Sequence, residues 1–143
     1  MKKIADISEK PLSKDEEKLA LIAREAMKNS YAPYSSFNVG AALLCSDGSV
    51  YTGCNIENAS FSPTCCAERV AFFKAISDGK REFSAIAVIG GESGVPEGPT
   101  YPCGVCRQVM AEFCSPDFRI ILPSKDGVSV KTLAEIYPCG FSL

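Results

Sequence analysis

Three cysteines from two distant stretches of this chain have to meet at one point. Cys66 opens the run Cys66-Ala67-Glu68-Arg69, and Pro102 precedes Cys103 and Cys106 in Pro-Cys-Gly-Val-Cys. Catalytic zinc commonly takes three protein ligands and keeps a position for water, whereas a structural site is closed by four. Three thiolates beside one carboxylate therefore suit an open, hydrolytic site, and a fold that serves them must bring residue 66 up against residues 103 and 106. The chain contains no histidine. That removes Ser-His-Asp and Cys-His catalysis, the His-Glu-x-x-His proteases and every imidazole-dependent zinc site. Proton transfer then falls to carboxylates, and Glu68, two residues from a ligand, is placed to hold the water and carry its proton.

Spacing tests the constellation. Cys103 and Cys106 are three apart, so on a helix both sulfurs share a face and can chelate. Cys66 and Glu68 are two apart, and on a regular helix they would point about 200° apart. They converge if Cys66 lies in the first turn of a helix with its sulfur leaning across the helix start. Both ligand helices then aim their positive ends at the thiolates and lower their pKa values. Three thiolates also push charge onto the zinc and blunt its acidity. Arg69 is positioned to hydrogen bond the sulfurs and draw part of that charge back.

A noncatalytic zinc-binding module is the main alternative of another class; it needs a fourth ligand and has no use for Glu68. A lone Cys-x-x-Cys does not decide between them, but Pro102, the Cys-Ala-Glu-Arg run and Arg107-Gln108 favour the hydrolytic reading. The remaining cysteines, Cys45, Cys54, Cys65, Cys114 and Cys139, are expected to be small buried hydrophobes. Cys65 adjoins a ligand and is expected to point away from it.

At 143 residues and 46% hydrophobic content, the chain suits one globular domain spanning 1–143. A net charge of −2 gives no footprint for a phosphate backbone, so nucleic acid is not expected as a partner. The N-terminus, Met1 to Glu9, starts with lysines but lacks the apolar run of a secretion signal, and no apolar stretch is long enough to span a membrane. Eight cysteines in such a chain read as thiols and ligands, which points to the cytoplasm.

Local patterns predict an α/β order. Ser13 and Glu16 form a capping box for a helix over 14–29. Phe37–Cys45 and Val50–Glu57 read as strands joined at Ser46-Asp47-Gly48. Thr64 is expected to cap a helix from about Cys65 to Gly79. A buried strand follows over Phe83–Ile89, and then a loop over Gly90–Pro99. A third helix is expected from Pro102, stopping before Ser115-Pro116, and a strand over Phe118–Leu122. Val128–Val130 and a short helix over Thr132–Ile136 close the chain. Helices should cover both faces of a mixed sheet.

The motifs Tyr31-Ala-Pro-Tyr-Ser35, Val39-Gly-Ala-Ala42, Gly53-Cys-Asn-Ile-Glu-Asn58, Cys66-Ala-Glu-Arg69 and Pro102-Cys-Gly-Val-Cys-Arg-Gln108 stand in the order found in one family. Over nearly its full length the chain resembles the small, homotetrameric, three-cysteine cytidine deaminases. The resemblance implies a three-layer α/β/α fold with a five-stranded mixed sheet, and zinc held by Cys66, Cys103 and Cys106. It implies that zinc-activated water adds to C4 of the pyrimidine while Glu68 handles protons, giving uridine or deoxyuridine and ammonia. It further implies that Asn55 and Glu57 bind ribose hydroxyls, that Phe37 packs against the pyrimidine, and that Phe141 reaches into a neighbouring subunit's site. A blasticidin-type aminonucleoside deaminase shares this chemistry, but the intact Asn55-Ile56-Glu57-Asn58 and Phe141 favour plain nucleosides. The segment Tyr137-Pro-Cys-Gly-Phe141 departs from the Pro-Gly-Ala-Phe type expected there.

Overall fold

The structure, a computed structural model, describes residues 10–143, so the N-terminal stretch read for a leader lies outside the described residues. The elements are α1 (Lys14–Met27), β1 (Phe37–Cys45), β2 (Val50–Cys54), α2 (Ala67–Ser77), β3 (Phe83–Glu92), β4 (Val95–Pro96), α3 (Gly104–Phe113), β5 (Arg119–Ser124), β6 (Gly127–Thr132) and α4 (Leu133–Ile136). Among the described residues no helix is long and apolar enough to cross a membrane.

The sheet runs β2-β1-β3-β5-β6, with β3 and β5 parallel and the other neighbours antiparallel. This is the expected five-strand mixed sheet, with one addition. β4 pairs with the end of β3 inside the stretch read as a loop. Ser93 and Gly94 both take positive φ, 53° and 78°, which makes a two-residue hairpin turn between Glu92 and Val95. Turns of that hand match strand twist, and Ser-Gly between two short extended pairs was the available signal.

Alternation along the strands sorts the core into two layers. Ala42, Leu44, Ala85, Ala87, Ile89 and Ile121 pack with Leu19, Ala23 and Met27 of α1. On the opposite face Ala41, Leu43, Ile86, Val88, Ile120 and Leu122 pack with Ala67, Ala71, Phe72 and Ala75 of α2 and Met110 of α3. The three-layer expectation is met, and α2 and α3, the helices that begin at the cysteine motifs, share one face. The capping box forms as read, with the Ser13 hydroxyl accepting from the Glu16 amide and the Glu16 carboxylate accepting from the Ser13 amide. Glu16 also accepts from Arg119 Nε at 2.7 Å in a buried pair that ties α1 to β5.

Two glycines let both helices lie directly on the sheet backbone. A Cβ on Gly40 would fall 2.0 Å from the carbonyl oxygen of Ala23, and one on Gly53 would fall 2.1 Å from that of Ala67. No side chain fits at either distance. They occupy neighbouring rungs of the β1–β2 ladder, where Gly40 pairs with Cys54 and Ala41 with Gly53, and they face opposite helices. The first residue of α2 is thus pinned to β2 one residue after Cys66.

Candidate metal centre

Both cysteine motifs sit at helix starts, each helix beginning two residues later than the sequence pattern put it. Cys66 is the N-cap of α2 and Cys103 the N-cap of α3, each with extended backbone, and neither side chain makes a capping hydrogen bond. The expected starts, near Cys65 with Thr64 as cap and at Pro102, are therefore corrected to Ala67 and Gly104. Cys66 lies just before the first turn rather than in it. This removes the angular conflict with Glu68, because the spacing rule applies only between helical residues, and an extended N-cap turns its sulfur across the end of the helix. Cys106 is in the first turn of α3. All three sulfurs thus face the positive ends of two helices.

The Sγ atoms of Cys66 and Cys103 lie 3.7 Å apart, and those of Cys103 and Cys106 3.6 Å apart. With zinc–sulfur bonds of about 2.3 Å, a tetrahedral site requires sulfur–sulfur edges of about 3.8 Å. The three ligand atoms all lie within 4.8 Å of one another, so the donor set fits a zinc ion. Cys106 is buried, Cys66 half-buried and Cys103 exposed, which leaves the centre open on the Cys103 side.

The charge balance also suits a cation. A hydrogen bond from Cys106, helped by others from Arg69 and Cys103, holds the Cys66 thiol down at about 5 despite its burial. Cys106 is correspondingly raised, by that same hydrogen bond and then by burial. When only protons are shared, one sulfur ionises and its neighbour holds its proton; a divalent ion lets them ionise together. Arg69 Nη2 donates to Cys66 Sγ at 3.4 Å, as the charge argument anticipated. Burial works against the Arg69 charge, but hydrogen bonds to Cys66 and Cys106 outweigh it and raise its pKa. Glu68 is only 4% exposed. Burial, and then the charge of Cys66, push its carboxyl up to about 7.

The residues assigned to nucleoside binding are brought partly together. Asn55 Nδ2 donates to the Phe37 carbonyl oxygen at 2.7 Å, while its Oδ1 accepts from the Val39 amide at 2.8 Å and from the Ser30 hydroxyl. The Asn55 Oδ1 thus takes the place of its own carbonyl oxygen opposite Val39, while the Asn55 backbone N–H still donates to the Val39 carbonyl oxygen at 3.2 Å. That is why β2 ends at Cys54 rather than at Glu57. One N–H of its amide has no partner in this set. Glu57 Oε1 accepts from the amides of Tyr34 and Ser35 at 3.0 and 3.1 Å. Hydrogen bonds from Ser35, and then from the Tyr34 amide, hold the Glu57 carboxyl below its ordinary range. A hollow of about 370 Å³ is lined by Tyr34, Ser35, Glu57, Asn58, Phe61 and Thr64. Phe37, 41% exposed, lines a different hollow with Gly90, Thr100 and Tyr101.

Ile56 joins this segment to the metal centre. It exchanges two backbone hydrogen bonds of 2.9 Å with Cys65, the residue before the first ligand. Cys65 lies outside the three-sulfur group, as expected, and burial raises its pKa. Of the spare cysteines only Cys45 is buried; Cys54, Cys65 and Cys114 are half-buried and Cys139 is exposed, a correction to the uniform reading of them as buried hydrophobes. The Phe141 ring is 66% exposed and lies against α3 and α4, away from the hollows that Glu57 and Phe37 line. The anchoring roles of Ser30, Ser35 and Ile56 were not readable from sequence, since each depends on a partner distant in the chain.

Residues 13–121 match the family model described as the cytidine and deoxycytidylate deaminase zinc-binding region. The chain is 50% identical over 129 residues to a cytidine deaminase of Sporosarcina psychrophila, covering 90% of this chain and 92% of that one. To the cytidine deaminase of Halalkalibacterium halodurans it is 47% identical, with 90% and 95% covered. Its fold is similar to the crystal structure of cytidine deaminase from Burkholderia pseudomallei, with a TM-score of 0.81 and 43% identity over 91% of this chain and all of that one.

Proposed function

The chain belongs to the cytidine and deoxycytidylate deaminase family, and on that premise we propose that it hydrolyses cytidine and deoxycytidine to uridine and deoxyuridine, releasing ammonia. The observation that carries the reading is the group of three sulfurs within 4.8 Å of one another with the buried carboxyl of Glu68 beside it. Cys66, Cys103 and Cys106 would hold the zinc, which when bound would supply the Lewis acidity that readies a water to add to C4 of the pyrimidine. Glu68 takes a proton from that water and delivers it to N3. The carboxylate then takes the remaining proton from the new C4 hydroxyl and passes it to the amine, so that the C4–N4 bond breaks as the C4 carbonyl forms and ammonia leaves. A group poised near neutrality serves both directions, and the surroundings of Glu68 hold it at about 7. Arg69 draws charge from Cys66 and so keeps the metal acidic.

In this reading Asn55 and Glu57 meet the ribose hydroxyls, Asn55 through its remaining N–H and Glu57 through Oε2. Phe37 packs on the pyrimidine. Phe141 covers the ring in a neighbouring subunit, so the working species is a homotetramer of a single-domain chain. A nucleoside deaminase of this kind serves pyrimidine salvage in the cytoplasm, with neither nucleic acid nor membrane as partner.

The test is ammonia release with zinc content measured on the same preparation. Cytidine should be turned over well ahead of free cytosine, cytidine monophosphate and blasticidin. Glu57→Gln keeps Oε1 for the Tyr34 and Ser35 amides but loses the charged acceptor, and should raise KM for cytidine roughly tenfold. Free cytosine processed as readily as cytidine would remove the ribose-reading role. Deleting the residues after Pro138 should leave zinc in place and raise KM. A stable, fully active monomer of the whole chain would rule out the shared site.

A further inference from the structure

Two consecutive residues of α3, unused by the chemistry above, tie the ligand helix to the C-terminal segment. Arg107 Nε donates to the carbonyl oxygen of Pro102 at 2.7 Å, and its Nη1 donates to that of Ile136 at 2.5 Å. One guanidinium thus joins the residue before ligand Cys103 to the last residue of α4. Gln108 is engaged at both ends of its amide. Its Oε1 accepts from the Tyr137 hydroxyl at 2.5 Å, and its Nε2 donates to the Phe141 carbonyl oxygen at 3.3 Å. An amide used on both sides has a fixed orientation, and here it spans the two aromatic residues that bracket the tail. Gly140 completes the fit, since a Cβ there would lie 3.0 Å from the Tyr137 ring.

We infer that Tyr137 and Gln108 are positioning residues for the tail: they set the direction in which the chain leaves α4 and hence where the exposed Phe141 ring is presented. The inference rests on the reading that Phe141 closes an active site. Neither residue touches substrate or reacting atoms in that reading. Their effect is on how often the ring stands ready, and a contact equally present in ground and transition states appears in KM and leaves kcat alone. Tyr137 itself is half-buried against the core, and its backbone N–H donates to the Leu133 carbonyl oxygen at 2.8 Å, so its ring has a fixed base from which the hydroxyl reaches Gln108.

Tyr137→Phe removes the hydroxyl alone. Steady-state kinetics with cytidine should show KM raised roughly 3- to 10-fold, the scale of one lost hydrogen bond, with kcat and zinc content unchanged. Gln108→Leu loses both bonds and should raise KM at least as far. Adding Tyr137→Phe to Gln108→Leu should then raise KM no further, whereas independent roles would multiply. An unchanged KM in Tyr137→Phe, or a fall in kcat or zinc with KM unchanged, overturns the positioning role. The chain cut after Pro138 separates this from the underlying reading. If the cut raises KM and Tyr137→Phe does not, the positioning role alone is wrong; if the cut leaves KM unchanged, the role of Phe141 fails and the inference with it.

Discussion

Glu68→Gln should retain one zinc per chain and lose about 10²–10⁴ in kcat, the range set by removing a general acid–base group. The amide has the shape of the carboxyl it replaces, so a site that leaves Glu68 only 4% exposed accommodates it without a void. What is lost is the titratable proton. Burial, and then the neighbouring Cys66 charge, raise the proton affinity of this carboxyl in the metal-free chain, and an amide neither gives nor takes a proton. Metal analysis by atomic emission and single-substrate kinetics on one preparation check both halves. Near-normal turnover with zinc in place would show that another group moves the protons.

Cys103→Ala and Cys106→Ala should each lose zinc and activity together, with residual turnover at background. The two variants separate ligation from packing. Cys106 is 1% exposed, so its truncation also opens a small cavity beneath α3. Cys103 is exposed, and its truncation removes a ligand with almost no loss of packing. A common loss of zinc in both therefore reports on the metal site. The three sulfurs are placed to hold a metal ion in the folded chain, so on the three-sulfur assignment the metal-depleted native protein should also melt lower than the loaded one. Either variant keeping zinc at full turnover would end the three-sulfur assignment.

Chemistry made the centre of this site legible from the sequence. Without histidine, the cysteine spacings and Glu68 left few ways to build a hydrolytic metal site, and the sulfur positions agree with the one inferred. β1 was read from Phe37 to Cys45 because its apolar run is covered on both faces, and α1 was marked by Ser13 and Glu16. What escaped was whatever depends on a partner far along the chain. The end of β2 is set by Asn55 turning its side chain onto β1. The pair of Glu16 and Arg119 spans 103 residues. The bonds from Gln108 to Tyr137 and Phe141 span 29 and 33. The helix starts were each misplaced by two residues because Thr64 and Pro102 are good local starters, while an extended Cys66 and Cys103 aim their sulfurs better at a common point.

The double hydrogen bond between Ile56 and Cys65 makes the chain a measuring device. Asn55 and Glu57 flank one end of it and Cys66 follows the other, so if the proposed sugar contacts hold, the span from them to the sulfurs is set by peptide geometry. A gauge of fixed length judges a molecule by the distance between its parts. Pyrimidines that keep the sugar-to-C4 distance should be accepted whatever small groups they carry at C5, whereas a purine nucleoside, whose amino carbon lies farther from its sugar, should be refused without any clash to exclude it.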